Sequence, residues 1–463
     1  MKNNTKFLFK LSIAASVLFL NLTACKKNNN VPIEENQKEE VARTIYIPKE
    51  FAAMDFNNSA STWAYSRSRQ SDHFIVFWGA GYGTKDPNAA DVPELYRVDI
   101  DNLLKKAEDA YDTNVNKLKF AEVGVGKSNL DKYKMLIFLS YTTAYIGAGG
   151  GVDDVIGALW LSPNPVRPVG SVLTHEIGHS FQYQVYCDLK GTSGFRYGYG
   201  NYPGSSYWEA TAQWQAQQEY PAEVFSTGQF AGYTQTYNKH IMHEDQRYRS
   251  YFTNFYWSQK HGIDIVSRIW RQARQPEDAI QTYMRLTNIT FEQFNDEVYD
   301  ASKKFVTWDL DAIRENGVNF IGKHTYGFSA EAGGIFRVTN AKCPQTTGYN
   351  VIPLTLPAAG TVVSVDFKGI PNATGFNTVD ALRAGWRYGY VALLANGTRV
   401  YGDMAKGSQN TVSFTVPQNC SKLWFVVTGA PTSYAQQPWD NIATNDEQWP
   451  YELRLTNTGI IGY

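Results

Sequence analysis

The chain has 463 residues, with 43 Lys and Arg against 44 Asp and Glu, and a formal net charge of −1. This balance excludes a nucleic-acid-binding protein that relies on a basic surface. With 43% hydrophobic residues and a mean hydropathy of −0.38, the chain is too apolar to be disordered and too polar to be a polytopic membrane protein. Its length favours two globular domains.

The first 24 residues resemble a bacterial lipoprotein signal peptide. A basic start is followed by a short apolar run and by the sequence Leu-Thr-Ala-Cys, which ends at Cys25. The apolar run is shorter than the ~20 residues that a transmembrane helix needs. The resemblance implies cleavage before Cys25, acylation of its thiol, and lipid anchoring to the bacterial outer membrane, facing the cell exterior or the periplasm. Residues 25–42 are polar and lack periodicity, which predicts a flexible tether.

Residues 43–320 combine strand and helix patterns. Continuous apolar runs of strand length predict strands at residues 73–78, 134–139 and 156–161. Helical spacing covers residues 93–119, and aromatic-rich helices are predicted at residues 252–273 and 290–305. The glycine-rich stretch 147–151 lacks the Lys-Ser/Thr ending of a phosphate loop, and we interpret it as a flexible loop.

Residues 321–463 contain short runs of alternating hydrophobicity separated by Gly, Pro and Asn. The predicted strands cover residues 351–356, 361–367, 386–394, 411–416, 422–428 and 451–455. This pattern predicts an antiparallel β-sandwich of jelly-roll kind. The aromatic run 386–390 would either pack in the core or stack on sugar rings as a glycan contact. Cys343 and Cys420 could pair, but their spacing does not fix a disulfide.

The motif that carries chemistry is His175-Glu176-Ile177-Gly178-His179. The two histidines lie one helical turn apart, so they share a helix face and can hold one Zn²⁺. Glu176 follows about 100° round the helix from His175, where it can take a proton from an attacking water without being a ligand. Roughly 0.005 such matches are expected by chance in a chain of this composition. An apolar stripe at helical spacing would bury the helix: Leu173, Ile177, Phe181 and Val185.

A zinc site in an enzyme needs a third protein ligand and an open position for water or substrate. Glu209 is the best candidate, because it stands in a short amphipathic helix among apolar and small neighbours, where a buried carboxylate needs a partner. The alternatives occupy more polar or loop-like positions: Asp188, Glu219 and Glu223.

These two helices resemble those of the gluzincin zinc metallopeptidases, in which a His-Glu-x-x-His helix precedes a helix with a glutamate ligand. The resemblance implies a zincin-like catalytic domain at residues 43–320, and together with the all-β sandwich predicted at 321–463 this gives an α+β fold. It also implies hydrolysis of peptide bonds, with His175, His179 and Glu209 as Zn²⁺ ligands and Glu176 as general base. The predicted strand at residues 156–161 is expected to lie antiparallel to bound substrate. The architecture is similar to bacterial surface lipoproteins of unassigned function and, more distantly, to enhancin-like, mucin-directed peptidases.

Developing negative charge on the reacting carbonyl oxygen needs a hydrogen-bond donor besides the metal. The segment 240–251 offers several histidine, arginine and tyrosine side chains, among which we single out Tyr251 and His243 as candidate transition-state stabilisers.

Two functions are compatible with the sequence. The favoured one is a membrane-anchored zinc metallopeptidase that hydrolyses extracellular proteins or glycoproteins, with no nucleic-acid partner. The alternative is a non-catalytic surface lipoprotein that binds glycan or protein and has a structural or vestigial zinc site. A structural zinc site has no need of a general base, so the presence of Glu176 in the motif favours the peptidase.

Overall fold

The N-terminal part of the protein is built on a five-stranded mixed sheet. The computed structural model describes residues 42–189 and 205–463. The predicted signal peptide, Cys25 and the tether up to residue 41 therefore lie outside the described residues. The strands are β1 Ser68–Gln70, β2 Phe74–Trp78, β3 Met135–Leu139, β4 Gly147–Val152 and β5 Ile156–Leu161. Their order in the sheet is β1-β2-β3-β5-β4, with β2, β3 and β5 parallel and both outer strands antiparallel to their neighbours.

Helices cover one face of this sheet and continue into a helical region. They are α1 Ile100–Asp112, α2 Ser171–Asp188, α3 Ser206–Gln217, α4 Gly228–Thr236, α5 Phe252–His261, α6 Ile265–Gln272, α7 Ala279–Thr287, α8 Phe291–Phe305 and α9 Arg314–Gly317. Helix α2 packs against β4, β5, α1 and α3. Its predicted apolar stripe is fully buried, which confirms the predicted orientation of this helix. Aromatic side chains preceding β1 cover the other face of the sheet, where Trp63 contacts Phe138.

The helix predictions were right about the elements and wrong about some ends. The predicted helix at residues 93–119 begins only at Ile100, because the Asp99 carboxylate caps it by accepting a hydrogen bond from the Asn102 N–H. The predicted helix at 252–273 is interrupted by Gly262, whose φ of 95° is a conformation that favours glycine.

The glycine-rich stretch 147–151 is not a loop but most of β4, the edge strand next to α2. Gly149 leaves no room for a side chain, since a Cβ there would lie 2.0 Å from the Glu176 carbonyl oxygen. A Cβ on Gly151 would similarly collide with the Tyr183 ring. The glycines therefore allow a helix to lie directly against the strand.

The position of β5 also corrects an expectation. Ile156–Leu161 is a strand as predicted, but it is paired on one side with β3 and on the other with β4. Because both of its edges are occupied, it cannot pair with a bound peptide. Within the described residues, the two edge strands of this sheet are β1 and β4, and β4 is the one that packs against α2.

The C-terminal part is a sandwich of two antiparallel sheets, so the protein has an α+β fold. Its strands are β6 Phe328–Glu331, β7 Ile335–Val338, β8 Tyr349–Leu354, β9 Val362–Gly369, β10 Trp386–Leu394, β11 Arg399–Tyr401, β12 Ala405–Lys406, β13 Gln409–Thr415, β14 Cys420–Gly429 and β15 Tyr451–Thr456. One sheet has the order β11-β10-β14-β8, with β12 also paired to β10, and the other has the order β13-β9-β15-β7-β6. All six strands predicted in this region are present.

The sheet that contains β10 and β14 is buried on both faces. Its inner face joins the core of the sandwich through side chains such as Tyr388 and Val427. Its outer face belongs to the core of the helical region through Val391, Trp424 and Val426. Residues Ala42–Tyr463 accordingly form one compact unit.

The structure decides two further expectations about the C-terminal region, one about its aromatic run and one about its cysteines. The aromatic side chains of the run 386–390 are almost completely buried, so they pack in the core and are unavailable for stacking on sugars. Cys343 and Cys420 are free thiols and are not paired with each other. Within the described ranges, no helix is long and apolar enough to cross a membrane.

Candidate metal centre

Helix α2 presents the three residues of the motif at one end of a cleft. His179 and Glu176 are buried, and the side chain of His175 is 11% exposed. The cleft has a volume of about 410 Å³, and the three residues share its lining with residues of β4 and α3. The ring of His179 stacks on Trp208, with 4.7 Å between ring centroids, which fixes the plane of the imidazole.

Helix α3 brings Glu209 to the two histidines. The carboxylate Oε2 lies 3.1 Å from His175 Nε2 and 3.1 Å from His179 Nε2. Gly178 allows α3 to lie this close to α2, because a Cβ at this position would lie 2.9 Å from Gln215 Oε1 and 3.2 Å from the Ala212 Cα. The structure thus brings together the three predicted ligands. His175 and His179 lie one turn apart on α2, and Glu209 comes from α3.

The electrostatics of the cluster favour a charged carboxylate. Burial alone would raise the pKa of Glu209, but hydrogen bonds and charge interactions with His175 and His179 outweigh it and hold that pKa well below its usual range. Burial would lower the pKa of His175, yet the Glu209 hydrogen bond and the nearby Glu176 and Glu209 carboxylates raise it. The cluster therefore concentrates negative charge that attracts a cation.

A chain of buried amides fixes the orientation of His179. Its Nδ1–H donates to Gln182 Oε1 at 3.0 Å, and Gln182 Nε2 donates to Gln215 Oε1 at 3.0 Å. Gln215 Nε2 in turn donates to Asn114 Oδ1 at 2.6 Å, in the π-helical turn that follows α1. Because Nδ1 carries a proton, Nε2 is the ring nitrogen of His179 that faces Glu209.

This arrangement fits a Zn²⁺ ion. A lone pair on His179 Nε2 facing a carboxylate oxygen at 3.1 Å is unfavourable unless a proton or a metal cation stands between them. Two imidazole nitrogens and one carboxylate oxygen, all within 4.8 Å of one another, form a donor set that suits zinc. Residues His175, His179 and Glu209 would hold the ion, and Glu176 would stay outside the ligand set.

Two tyrosines that the sequence did not single out lie at the cluster. The Tyr248 hydroxyl donates to Glu209 Oε1 at 2.9 Å, and its ring lies beside that of His175. Tyr145 is on the cleft wall, where burial and then the charge of Glu176 raise the pKa of its phenol. Tyr145 could have been suspected because it stands just before the glycine stretch. Tyr248 is one of two tyrosines in segment 240–251, which also contains histidines and arginines that can donate hydrogen bonds.

The two predicted transition-state stabilisers lie elsewhere. The Tyr251 hydroxyl is buried and donates to the Val224 carbonyl oxygen at 2.7 Å. His243 belongs to a second group of close acidic and histidine side chains, with Glu244 and Asp446. The three alternative ligands, Asp188, Glu219 and Glu223, are not part of the His175 cluster.

The comparisons with known proteins identify a family but no activity. No curated protein matches the chain. The crystal structure of Yersinia pseudotuberculosis-derived mitogen (YPM) aligns over 28% of this chain and 86% of that chain, at 7% sequence identity and a TM-score of 0.18. This similarity is too low to support an argument about structure or function. The family of unknown function DUF6055 matches residues 37–462, and the chain therefore belongs to the DUF6055 family.

Proposed function

We propose that this protein is a zinc-dependent metallopeptidase that hydrolyses peptide bonds of extracellular proteins or glycoproteins. The observation that carries the proposal is the His175, His179 and Glu209 cluster with a fourth side chain, Glu176, on the wall of the same cleft. A site that only binds metal for stability has no need of this additional carboxylate. The lipid anchor at Cys25 and the outer-membrane location remain part of the proposal.

Each residue of the site has a distinct role in this proposal. Zn²⁺, when bound, would act as a Lewis acid towards the scissile carbonyl and the attacking water. The Glu176 carboxylate would accept the proton of that water and deliver it to the leaving amine. As negative charge develops on the carbonyl oxygen, the Tyr248 hydroxyl would leave Glu209 Oε1 and donate its hydrogen bond to that oxygen.

The open edge of β4 offers a binding surface for an extended peptide. The Ser162 N–H donates to the Ile146 carbonyl oxygen, and the register pairs Gly147 with Leu161. Because backbone direction alternates along a strand, the N–H and C=O groups of Gly147, Gly149 and Gly151 face away from β5. A substrate strand paired with this edge would lie along the cleft that contains Glu176. Main-chain pairing of this kind supports a polypeptide substrate.

The alternative function, a non-catalytic lipoprotein that binds glycan or protein, has less support. Its glycan platform was the aromatic run 386–390, and those side chains are buried. We therefore retain the peptidase as the proposal.

The test separates metal binding from catalysis. Zinc per chain is measured on protein that starts at residue 42, for the wild type and for His179→Ala, Glu209→Ala and Glu176→Gln. We expect about one zinc in the wild type and in Glu176→Gln, and loss of zinc in the two ligand variants. Hydrolysis of casein and mucin is then compared, and Glu176→Gln is expected to lower the rate by about 10²–10⁴-fold. Full activity of Glu176→Gln, or a wild type that takes up no zinc at neutral pH, would refute the proposal.

A further inference from the structure

The segment from Asn238 to Tyr248 connects α4 to α5 and is bonded to the sandwich along its first half. The Gln345 N–H donates to the Asn238 carbonyl oxygen at 2.8 Å. The His240 N–H donates to the Gln345 side-chain oxygen at 2.7 Å, and the Ile241 N–H donates to Thr347 Oγ1 at 2.9 Å. Residues 341–348 of the sandwich therefore hold the beginning of this segment by its backbone.

A second loop of the sandwich holds the middle of the segment. His243 Nδ1 accepts a hydrogen bond from the Asp245 N–H at 3.0 Å, so the ring proton is on Nε2 and is donated to Asp446 Oδ2 at 2.8 Å. The Glu244 carboxylate accepts hydrogen bonds from the Asp440 and Asn441 N–H groups, at 2.9 and 2.7 Å. The donor and acceptor atoms of the His243, Glu244 and Asp446 group are thus used to join two loops, which argues against a second metal site there.

The far end of the segment reaches the candidate metal centre. Only three residues separate Glu244 from Tyr248, and they form a tight turn in which the Gln246 N–H donates to the His243 carbonyl oxygen at 2.9 Å. Tyr248 then donates to Glu209. A shift of His243 would therefore be transmitted through one turn to the phenol that touches the carboxylate ligand.

We propose that the C-terminal sandwich positions Tyr248, with Asp446 and Glu244 as positioning residues, and is therefore part of the catalytic unit. This inference rests on the proposed function, because it assigns the sandwich a role in the same site. It replaces the view of the sandwich as a separate binding module. Two separate loops of the sandwich, at residues 341–348 and 440–446, hold the segment, whose own regular structure is the short 3₁₀ turn Glu244–Gln246.

The experiment compares the hydrogen bond between His243 and Asp446 with an ion pair that joins the sandwich to the helical region. Asp446→Ala removes the acceptor of His243, Asp446→Asn keeps an acceptor oxygen, and Tyr248→Phe removes the phenol hydroxyl. The matched control is Asp296→Asn, which removes the carboxylate that Arg387 Nε contacts at 2.6 Å, on α8 and far from Tyr248 in the chain. Each variant is loaded with Co²⁺ in place of zinc, and its visible absorption spectrum is recorded. Amide hydrogen exchange of residues 246–250 is measured on the same proteins without metal.

We expect Asp446→Ala to shift the Co²⁺ spectrum in the same direction as Tyr248→Phe, because both change the hydrogen bond to the ligand Glu209. Asp446→Asn should restore the wild-type spectrum, and Asp296→Asn should leave it unchanged. Hydrogen exchange at residues 246–250 should accelerate about tenfold in Asp446→Ala and not in Asp296→Asn.

Two outcomes would overturn the inference: unchanged exchange at residues 246–250 in Asp446→Ala, or equal acceleration in Asp446→Ala and Asp296→Asn. The second outcome would indicate a loss of global stability only. A wild type that does not bind Co²⁺ or zinc would refute the proposed function, while the exchange comparison would still test the positioning of Tyr248.

Discussion

Glu209 is the residue on which the geometry of the candidate site depends, because it contacts both histidines through a single oxygen. Without a metal ion, a proton between Glu209 and one of the histidines would balance the charge of the carboxylate. Protonation of the cluster and metal binding are therefore in competition, and pH should shift the balance between them.

The first prediction concerns the stability of the metal-free protein. The pKa of His175 is raised above 6.5, so its contribution is complete below pH 6.5 and is lost as the pH rises through the folded-state value. The pKa of Glu209 is lowered below 4.5, so its contribution is present above pH 4.5 and is lost as the pH falls through the folded-state value. In chelator, thermal unfolding should therefore show this stabilisation between pH 4.5 and 6.5, and the additional stabilisation by zinc should grow above that window. Glu209→Gln should reduce the stabilisation in this window, and parallel curves with and without zinc would contradict the prediction.

The second prediction concerns the amide that orients His179. Gln182→Leu removes the acceptor of the His179 Nδ1–H, and we expect zinc affinity to fall about 10–100-fold, as for other partners of metal-binding histidines. The control is Gln184→Leu on the same helix, whose buried amide contacts Gly157 and Asp188 instead of a histidine. Competition with a zinc chelator measures both affinities. Equal losses in the two variants would mean that Gln182 acts only through stability.

At the residue scale, the sequence predicted the cluster of His175, His179 and Glu209 better than the residues around it. His175, Glu176 and His179 are close in the chain, and Glu209 stands in a short apolar helix where a carboxylate needs a partner. Tyr248 was missed because segment 240–251 contains several candidates, and its conformation depends on hydrogen bonds to residues about 100 and 200 positions further along the chain. No local pattern contains that information.

Among the elements, β4 shows how tertiary packing can override residue preferences. Glycine is disfavoured in strands, and a run of five residues containing four glycines predicts a loop. Here the missing side chains are what allow α2 to lie against the strand, and the pairing with β5 compensates for the low preference. The apolar strands β2, β3 and β5 were predicted correctly because burial on both faces produces continuous apolar runs.

The third prediction uses two neighbouring glycines of this strand. Gly149→Ala would place a Cβ 2.0 Å from the Glu176 carbonyl oxygen, so we expect a loss of about 1–3 kcal/mol in the free energy of unfolding. Gly150→Ala points its Cβ into open space and should change that free energy by less than about 0.5 kcal/mol. Chemical denaturation measures both. Similar stability of the two variants would show that β4 and α2 do not pack as closely as described.

For the whole molecule, the sequence predicted the change from a mixed region to a sandwich near residue 320 but not the contact between them. The continuous apolar character of β10 and β14 reflects burial on both faces, one in the sandwich core and one against the helical region. Alternation alone distinguishes a half-buried strand from a fully buried one, but it does not say what covers the second face.

The last prediction follows from this shared sheet. Val426 and Val427 are adjacent on β14 and equally buried, but Val426 faces the helical core and Val427 the sandwich core. If the two cores unfold together, calorimetry should show one transition in the wild type. Val426→Ser and Val427→Ser should each lower the stability of that transition by about 1–3 kcal/mol, because each places a hydroxyl in an apolar core. Two transitions, with each variant lowering only its own, would mean that the sheet joins two independently stable domains. In that case the sandwich could unfold while α2 and α3 still held Glu209 against the two histidines.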